Sequence, residues 1–224
     1  CSMLLFVTSV LGGGIAVGLL KAAGVPDGSQ QFGGLTMLGA YLASGSVAAL
    51  LIYLVKPHAT GAGFKVRWWD VPTGVGLLLL ALPVLQCVGF LGVMIYTWTQ
   101  GHPPDAIAHE TLHDIMDDRN NPWTWLVIAC AIIGAPIIEE LTFRVFLQSA
   151  LLRATRSHWL AILLTSAAFT MIHRPTVPWH ALPILFTLGV GLGIAYERTG
   201  RPLVPIVMHM VFNAMSVAVV LVST

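Results

Sequence analysis

Apolar residues recur along this chain in seven stretches, at roughly 2 to 20, 35 to 55, 74 to 98, 123 to 152, 157 to 173, 180 to 196 and 202 to 222. A helix needs about 20 mostly apolar residues to cross a bilayer. The pattern therefore predicts an all-α, polytopic membrane bundle of about seven transmembrane helices, with residues 1–224 forming a single integral membrane domain. Trp68, Trp69, Trp98, Trp123, Trp125, Trp159 and Trp179 all fall at or near the ends of these stretches. An aromatic belt at the two membrane surfaces places tryptophan there.

Composition supports the same class. Only 9% of residues are charged and 56% are hydrophobic, against a charged share of roughly 25% in soluble domains. A formal net charge of +1 and the lack of a basic run exclude nucleic acid as an expected partner and leave the lipid bilayer as the general one. Cys1, Cys87 and Cys130 are widely spaced with no Cys-x-x-Cys pair, and are expected to be reduced core residues. The sequence opens at Cys1 rather than methionine, so nothing about targeting rests on that end.

The distribution of Lys and Arg sets an expected orientation. Lys56, Lys65, Arg67, Arg153, Arg156, Arg198 and Arg201 fall in loops on one side, and Lys21, Arg119 and Arg174 on the other. The richer side is expected in the cytoplasm, with the acidic stretch from 100 to 121 and Thr224 outside. On that topology Glu139 lies near mid-membrane, His173 near the outer surface and His209 toward the cytoplasm, at depths that differ by about 10 Å or more. Gly14 with Gly18 and Gly189 with Gly193 have small-xxx-small spacing, which predicts close helix packing. Pro83, Pro136, Pro183 and Pro205 fall inside apolar stretches, where a missing N–H is expected to kink each helix.

Two places carry candidate chemistry. HETLH at 109–113 has the H-E-x-x-H spacing that sets two histidines one helical turn apart to hold zinc. It lies among Asp105, Asp114, Asp117, Asp118 and Arg119, so a solvated amphipathic surface helix accounts for it without a metal. IIEELTFR at 137–144 is different, because it interrupts an apolar span. Each charge at the bilayer centre costs roughly 2.5 to 3.5 kcal/mol. Arg144 follows Glu140 by one helical turn and can pair with it, while Glu139 points about 100° away.

Other polar groups within spans show what Glu139 can face. His173 ends FTMIH one turn after Phe169, and HMVFN puts His209 and Asn213 on one helix face. Polar groups inside a membrane converge on a cavity or on each other. A desolvated Glu139 is suited to take a proton from water oriented by His173. His209 and Asn213 are suited to donate to the oxyanion of a tetrahedral intermediate. This points to a peptidase or amidase that requires no cofactor; the same glutamate and two histidines would equally ligate a divalent metal such as zinc with an open water position.

The motifs Glu139-Glu140-x-x-x-Arg144, Phe169-x-x-x-His173 and His209-x-x-x-Asn213 resemble, in identity and order, those of the CPBP intramembrane proteases, also called the CAAX amino-terminal protease or ABI family. The resemblance covers about 122–222, the expected protease-like core, and leaves residues 1–121 as N-terminal helices and a polar loop with no recognised motif. It implies an intramembrane endopeptidase of the CAAX-processing or bacteriocin-maturation type. The expected substrate is a protein or peptide, with or without a prenyl group, and the expected location is multi-pass in a bacterial cell membrane. It also implies that Glu139, His173, His209 and Asn213 are catalytic and that Glu140, Arg144 and Phe169 support the site or touch substrate. A non-proteolytic scaffold or immunity protein and a proton-coupled transporter are the other functional classes that a buried Glu/His cluster allows.

Overall fold

The computed structural model describes residues 2–55, 66–104, 109, 111, 112, 115 and 120–222. Lys56, Lys65, Arg119, and Glu110 and His113 of HETLH lie outside the described residues. Seven long helices are present among the described residues, and no strand. They are α1 (Ser2–Ala22), α2 (Gln30–Val55), α3 (Asp70–Gln100), α4 (Thr124–Thr155), α5 (His158–Ile172), α6 (Leu182–Thr199) and α7 (Leu203–Val222). Each matches one of the apolar stretches, and every tryptophan lies at or just outside a helix end.

Five of the seven, α1 to α4 and α7, are long and apolar enough to cross a membrane. The chain is a multi-pass integral membrane protein. The expectation of seven full spans is corrected at α5, whose 15 residues reach only about 22 Å against a hydrocarbon core of about 30 Å. α6 closes on Glu197 and Arg198, which lowers its apolar content.

α1 and α2 form a hairpin in which Gly12 lies against Ala43 and the backbone of Gly39. Gly14 and Gly18, expected at a helix contact, have open space beside them. Gly189 and Gly193 do pack closely, against Ser166 and against Ile162 with Gln148. On the other side of the bundle α3, α6 and α7 share a core of Leu78, Leu85, Leu188, Leu192, Val204 and Met208. Their ends are tied by Arg201, whose guanidinium meets the fully buried Asp70 at 2.6 Å. Pro183 and Pro205 fall in the first turns of α6 and α7, where the missing N–H has no partner to lose, so neither kinks its helix as expected. Cys130 is buried but Cys87 is exposed on the face of α3, contrary to the expectation of a core position; both are free.

Candidate active site

α4 is not a uniform helix. Two π-helical segments, Cys130–Gly134 and Leu141–Gln148, flank the turns Ala135–Glu140 that carry both glutamates. In the first, the Ala135 N–H donates to Cys130 O, the i to i+5 pattern of a π-helix. The next donor in that register would be Pro136, which has none, so Ala131 O is left without a backbone partner. Asn213 supplies it: Nδ2 donates to Ala131 O at 2.9 Å. Proline therefore acts here through register, and α7 is bonded to α4 at the level of the site.

The charges on α4 divide as their spacing predicts. Arg144 Nε donates to Glu140 Oε2 at 3.0 Å, and neither side chain has any exposure. The other oxygen, Oε1, accepts from His209 Nδ1 at 3.1 Å. That second partner was not foreseen from the sequence, because it joins two helices far apart in the chain. His173 likewise has its Nδ1 occupied, donating to Phe169 O at 2.8 Å. With Nδ1 protonated on both rings, each neutral imidazole offers Nε2 as a lone pair.

Both Nε2 atoms face Glu139. Its Oε2 lies 3.9 Å from His173 Nε2 and 3.9 Å from His209 Nε2, and is buried with no hydrogen-bond partner. His173, expected near the outer surface, is instead at the depth of Glu139. The shortness of α5 accounts for this, since 15 residues rise only about 22 Å and its C-terminal end stops level with the middle of α4. α7 begins within about two turns of His209, while α4 continues about three turns past Arg144, so staggered helix ends bring His209 to the same level.

Three hydrogen-bond acceptors thus converge on one small space, and they require a donor or a cation between them. A water has two hydrogens and so donates to Glu139 Oε2 and one imidazole at a time; at about 2.8 Å from both it spans their 3.9 Å separation at an angle of about 90°. A zinc ion about 2.1 Å from the same atoms would need an angle of about 135°, against about 109° in a tetrahedral site. As placed, the residues fit a bridging water rather than a directly ligated zinc. No group of three or more His, Cys, Asp or Glu side chains among the described residues has metal-holding geometry.

The space opens into a cavity of about 290 Å³ whose polar lining includes Tyr41, Glu139, His173, His209 and Asn213. Most of the remaining wall is apolar, with Ile184, Leu185, Phe212 and Val217 among its residues. Phe169 has no exposure; its ring centroid lies 4.7 Å from that of His173 and 5.8 Å from that of His209. The Arg144 guanidinium lies 5.5 Å from the same ring. Phe169 thus packs both imidazoles and the buried cation. His109 also lines the cavity, with its ring 6.5 Å from that of His173, so this part of HETLH is not on the solvated surface expected for it.

Residues 121–215, which contain all three motifs, match a family model described as Rce1-like, type II CAAX prenyl endopeptidase Rce1-like. The match covers less than half of the chain, and it is this segment that is similar to the Rce1-like family. Within the curated proteins, 146 residues are 28% identical to an uncharacterized 24.3 kDa protein of Escherichia coli, over 64% of this chain and 67% of that one. A further 29% identity over 137 residues relates the chain to the membrane-embedded CAAX protease MroQ of Staphylococcus aureus strain USA300. That match covers 56% of this chain and 53% of MroQ, so the chain spans about half of the relative's length. No solved structure matches. The Rce1-like match begins just before α4 and ends within α7, and the motif residues lie on α4, on α5 and its C-terminal edge, and on α7.

Proposed function

We propose that the protein is a CAAX-type intramembrane endopeptidase that hydrolyses a peptide bond with water activated by Glu139. The observation that carries the reading is the position of Glu139 Oε2, unpartnered and equally far from two imidazole Nε2 atoms. A water held there has one acceptor that can take its proton, Glu139, and an imidazole, His173, that fixes its direction. General-base assistance of this kind contributes about 10² to 10⁴ in rate.

Attack on a carbonyl carbon gives a tetrahedral oxyanion that needs donors. Asn213 has a second amide hydrogen beyond the one given to Ala131. His209 donates through Nε2 once that nitrogen takes up a proton from solvent entering by the cavity, a proton it returns as the products leave, with Glu140 balancing the charge at Nδ1. Glu139 then passes its proton to the departing amine as the carbon–nitrogen bond breaks. Arg144 stays on Glu140 throughout, and Phe169 holds the rings. No step in this scheme passes through a metal.

The apolar cavity wall suits an apolar peptide segment, as the end of a CAAX-type substrate is, and residues 122–222 are the proposed catalytic core. Neither the scaffold nor the transporter reading has an observation that favours it. The test is cleavage of candidate peptides by purified protein in detergent. Glu139→Gln and His173→Ala are expected to lose at least 10²-fold in rate, and variants that cut as fast as the parent would sink the assignment.

A further inference from the structure

Buried polar atoms near the pair on α4 are left unexplained by this site. Arg144 uses only Nε on Glu140; Nη1 and Nη2 are buried and make no hydrogen bond. One turn on, Gln148 is also fully buried; its Nε2 donates to Gly193 O at 3.1 Å and to Glu197 Oε2 at 3.3 Å. Its Oε1 has no partner. On α5, Thr165 has no exposure, and its Oγ1 has no partner either.

Helix register puts these atoms in one layer. α4 and α5 meet at a tight turn whose Arg156 adopts φ 55°, and they run antiparallel. Arg144 lies at the level of Phe169, and Gln148 at the level of Ile162, since Gln148 and Ile162 both border Gly193. Thr165 falls between Ile162 and Phe169 on the same buried face of α5, hence between the levels of Gln148 and Arg144. The layer thus holds two guanidinium donors, an amide acceptor and a hydroxyl able to act as either, and none is bonded to another. A ligand that satisfies all of them must both donate and accept, and buried water does so with about three partners.

Hydrogen bonds continue from both sides of the layer. Toward the helix ends, Glu197 Oε1 accepts from His158 Nδ1 at 2.5 Å, and the His158 side chain is 65% exposed. Toward the cavity, Arg144 holds Glu140, which holds His209. Fully buried Phe169 packs against the Arg144 guanidinium and against the two cavity imidazoles.

We propose that buried water occupies the layer between Arg144, Gln148 and Thr165 and completes a hydrogen-bonded relay from His158 and Glu197 at the helix ends to His209 in the cavity. Gln148, Thr165 and Glu197 are then positioning residues: they fix the guanidinium, which fixes Glu140, which fixes the His209 tautomer. The water site stands on the buried atoms alone, while its effect on rate rests on the endopeptidase reading.

The test compares the full-length protein with Thr165→Val, which keeps the shape and removes the hydroxyl, and Thr165→Ser, which keeps the hydroxyl. A density map at about 2 Å is expected to show water within roughly 2.7 to 3.2 Å of Arg144 Nη and Gln148 Oε1 in the parent and in Thr165→Ser. In Thr165→Val that water is expected to be lost or displaced. On a cleaved peptide, kcat is expected to fall several-fold in Thr165→Val with KM unchanged, and to recover in Thr165→Ser. A map in which Arg144 Nη and Gln148 Oε1 bond directly to protein atoms overturns the water site. A Thr165→Val protein that cleaves at the parent's rate overturns the relay. If the parent cleaves no peptide, the endopeptidase reading fails, and the map still decides the water site.

Discussion

Asn213 donates to the carbonyl oxygen of Ala131 at 2.9 Å, the one group in the first π turn of α4 that Pro136 leaves without a backbone donor. A side chain on α7 thus completes the backbone of α4. Its removal is expected to cost about 1 to 3 kcal/mol, the penalty for leaving a buried acceptor unmade. Pro136→Ala restores an N–H at the position where it is missing. In a double-mutant cycle followed by thermal unfolding in detergent, Asn213→Ala is therefore expected to cost about 1 kcal/mol less in the Pro136→Ala background. Strict additivity would show that the two residues do not serve the same carbonyl.

The two glutamates should separate cleanly. Glu139 is partly exposed to the cavity and makes no hydrogen bond through Oε2, so Glu139→Gln is expected to fold like the parent while losing cleavage. Glu140 is fully buried between Arg144 and His209. Glu140→Gln leaves Arg144 as an uncompensated buried charge, for which the expected loss is about 3 to 5 kcal/mol of stability. Unfolding midpoints of the two purified variants, measured side by side, check this; equal midpoints would contradict it.

Chelation is expected to leave cleavage unchanged, because the separations around Glu139 suit a bridging water. Elemental analysis of active protein should find metal well below one equivalent. Stoichiometric zinc whose removal stops cleavage would overturn the water-bridged geometry.

Glycines on α1 should differ according to the face they occupy. Gly12 abuts Ala43 and the Gly39 backbone, so Gly12→Leu is expected to push α1 from α2 at a cost of about 1 to 3 kcal/mol or more. Gly14→Leu meets open space and is expected to leave the unfolding midpoint within the error of the parent. An equal loss from both would show that the hairpin packs through another face.

Helix existence was legible because lipid demands it: each apolar run became a helix, and the tryptophans marked the ends. The Glu140–Arg144 pair was legible from a spacing of one turn, and the gathering of His173 and His209 at Glu139, with Asn213 lining the same cavity, from the cost of placing polar groups in lipid. Which face of each helix packs was not legible. Lipid tails are as apolar as a protein core, so hydrophobicity does not separate the buried face of α1 from its lipid face. That is why Gly14 and Cys87 were misplaced. The partner of the first π turn was hidden for another reason: Asn213 meets Ala131 across the bundle, and no local spacing encodes that contact. The pairing of His209 with Glu140 and of Gln148 with Glu197 has the same long-range character.

The spacing of Glu140 and Arg144 also bears on how α4 enters a bilayer. Both charges lie on one helix a single turn apart, so they neutralise each other as soon as that turn forms, before any other helix is present. His209 comes from α7, the last of the described helices to be synthesised. The fourth helix can therefore be inserted as a nearly neutral segment, and Glu140 acquires its second partner only once α7 has been made.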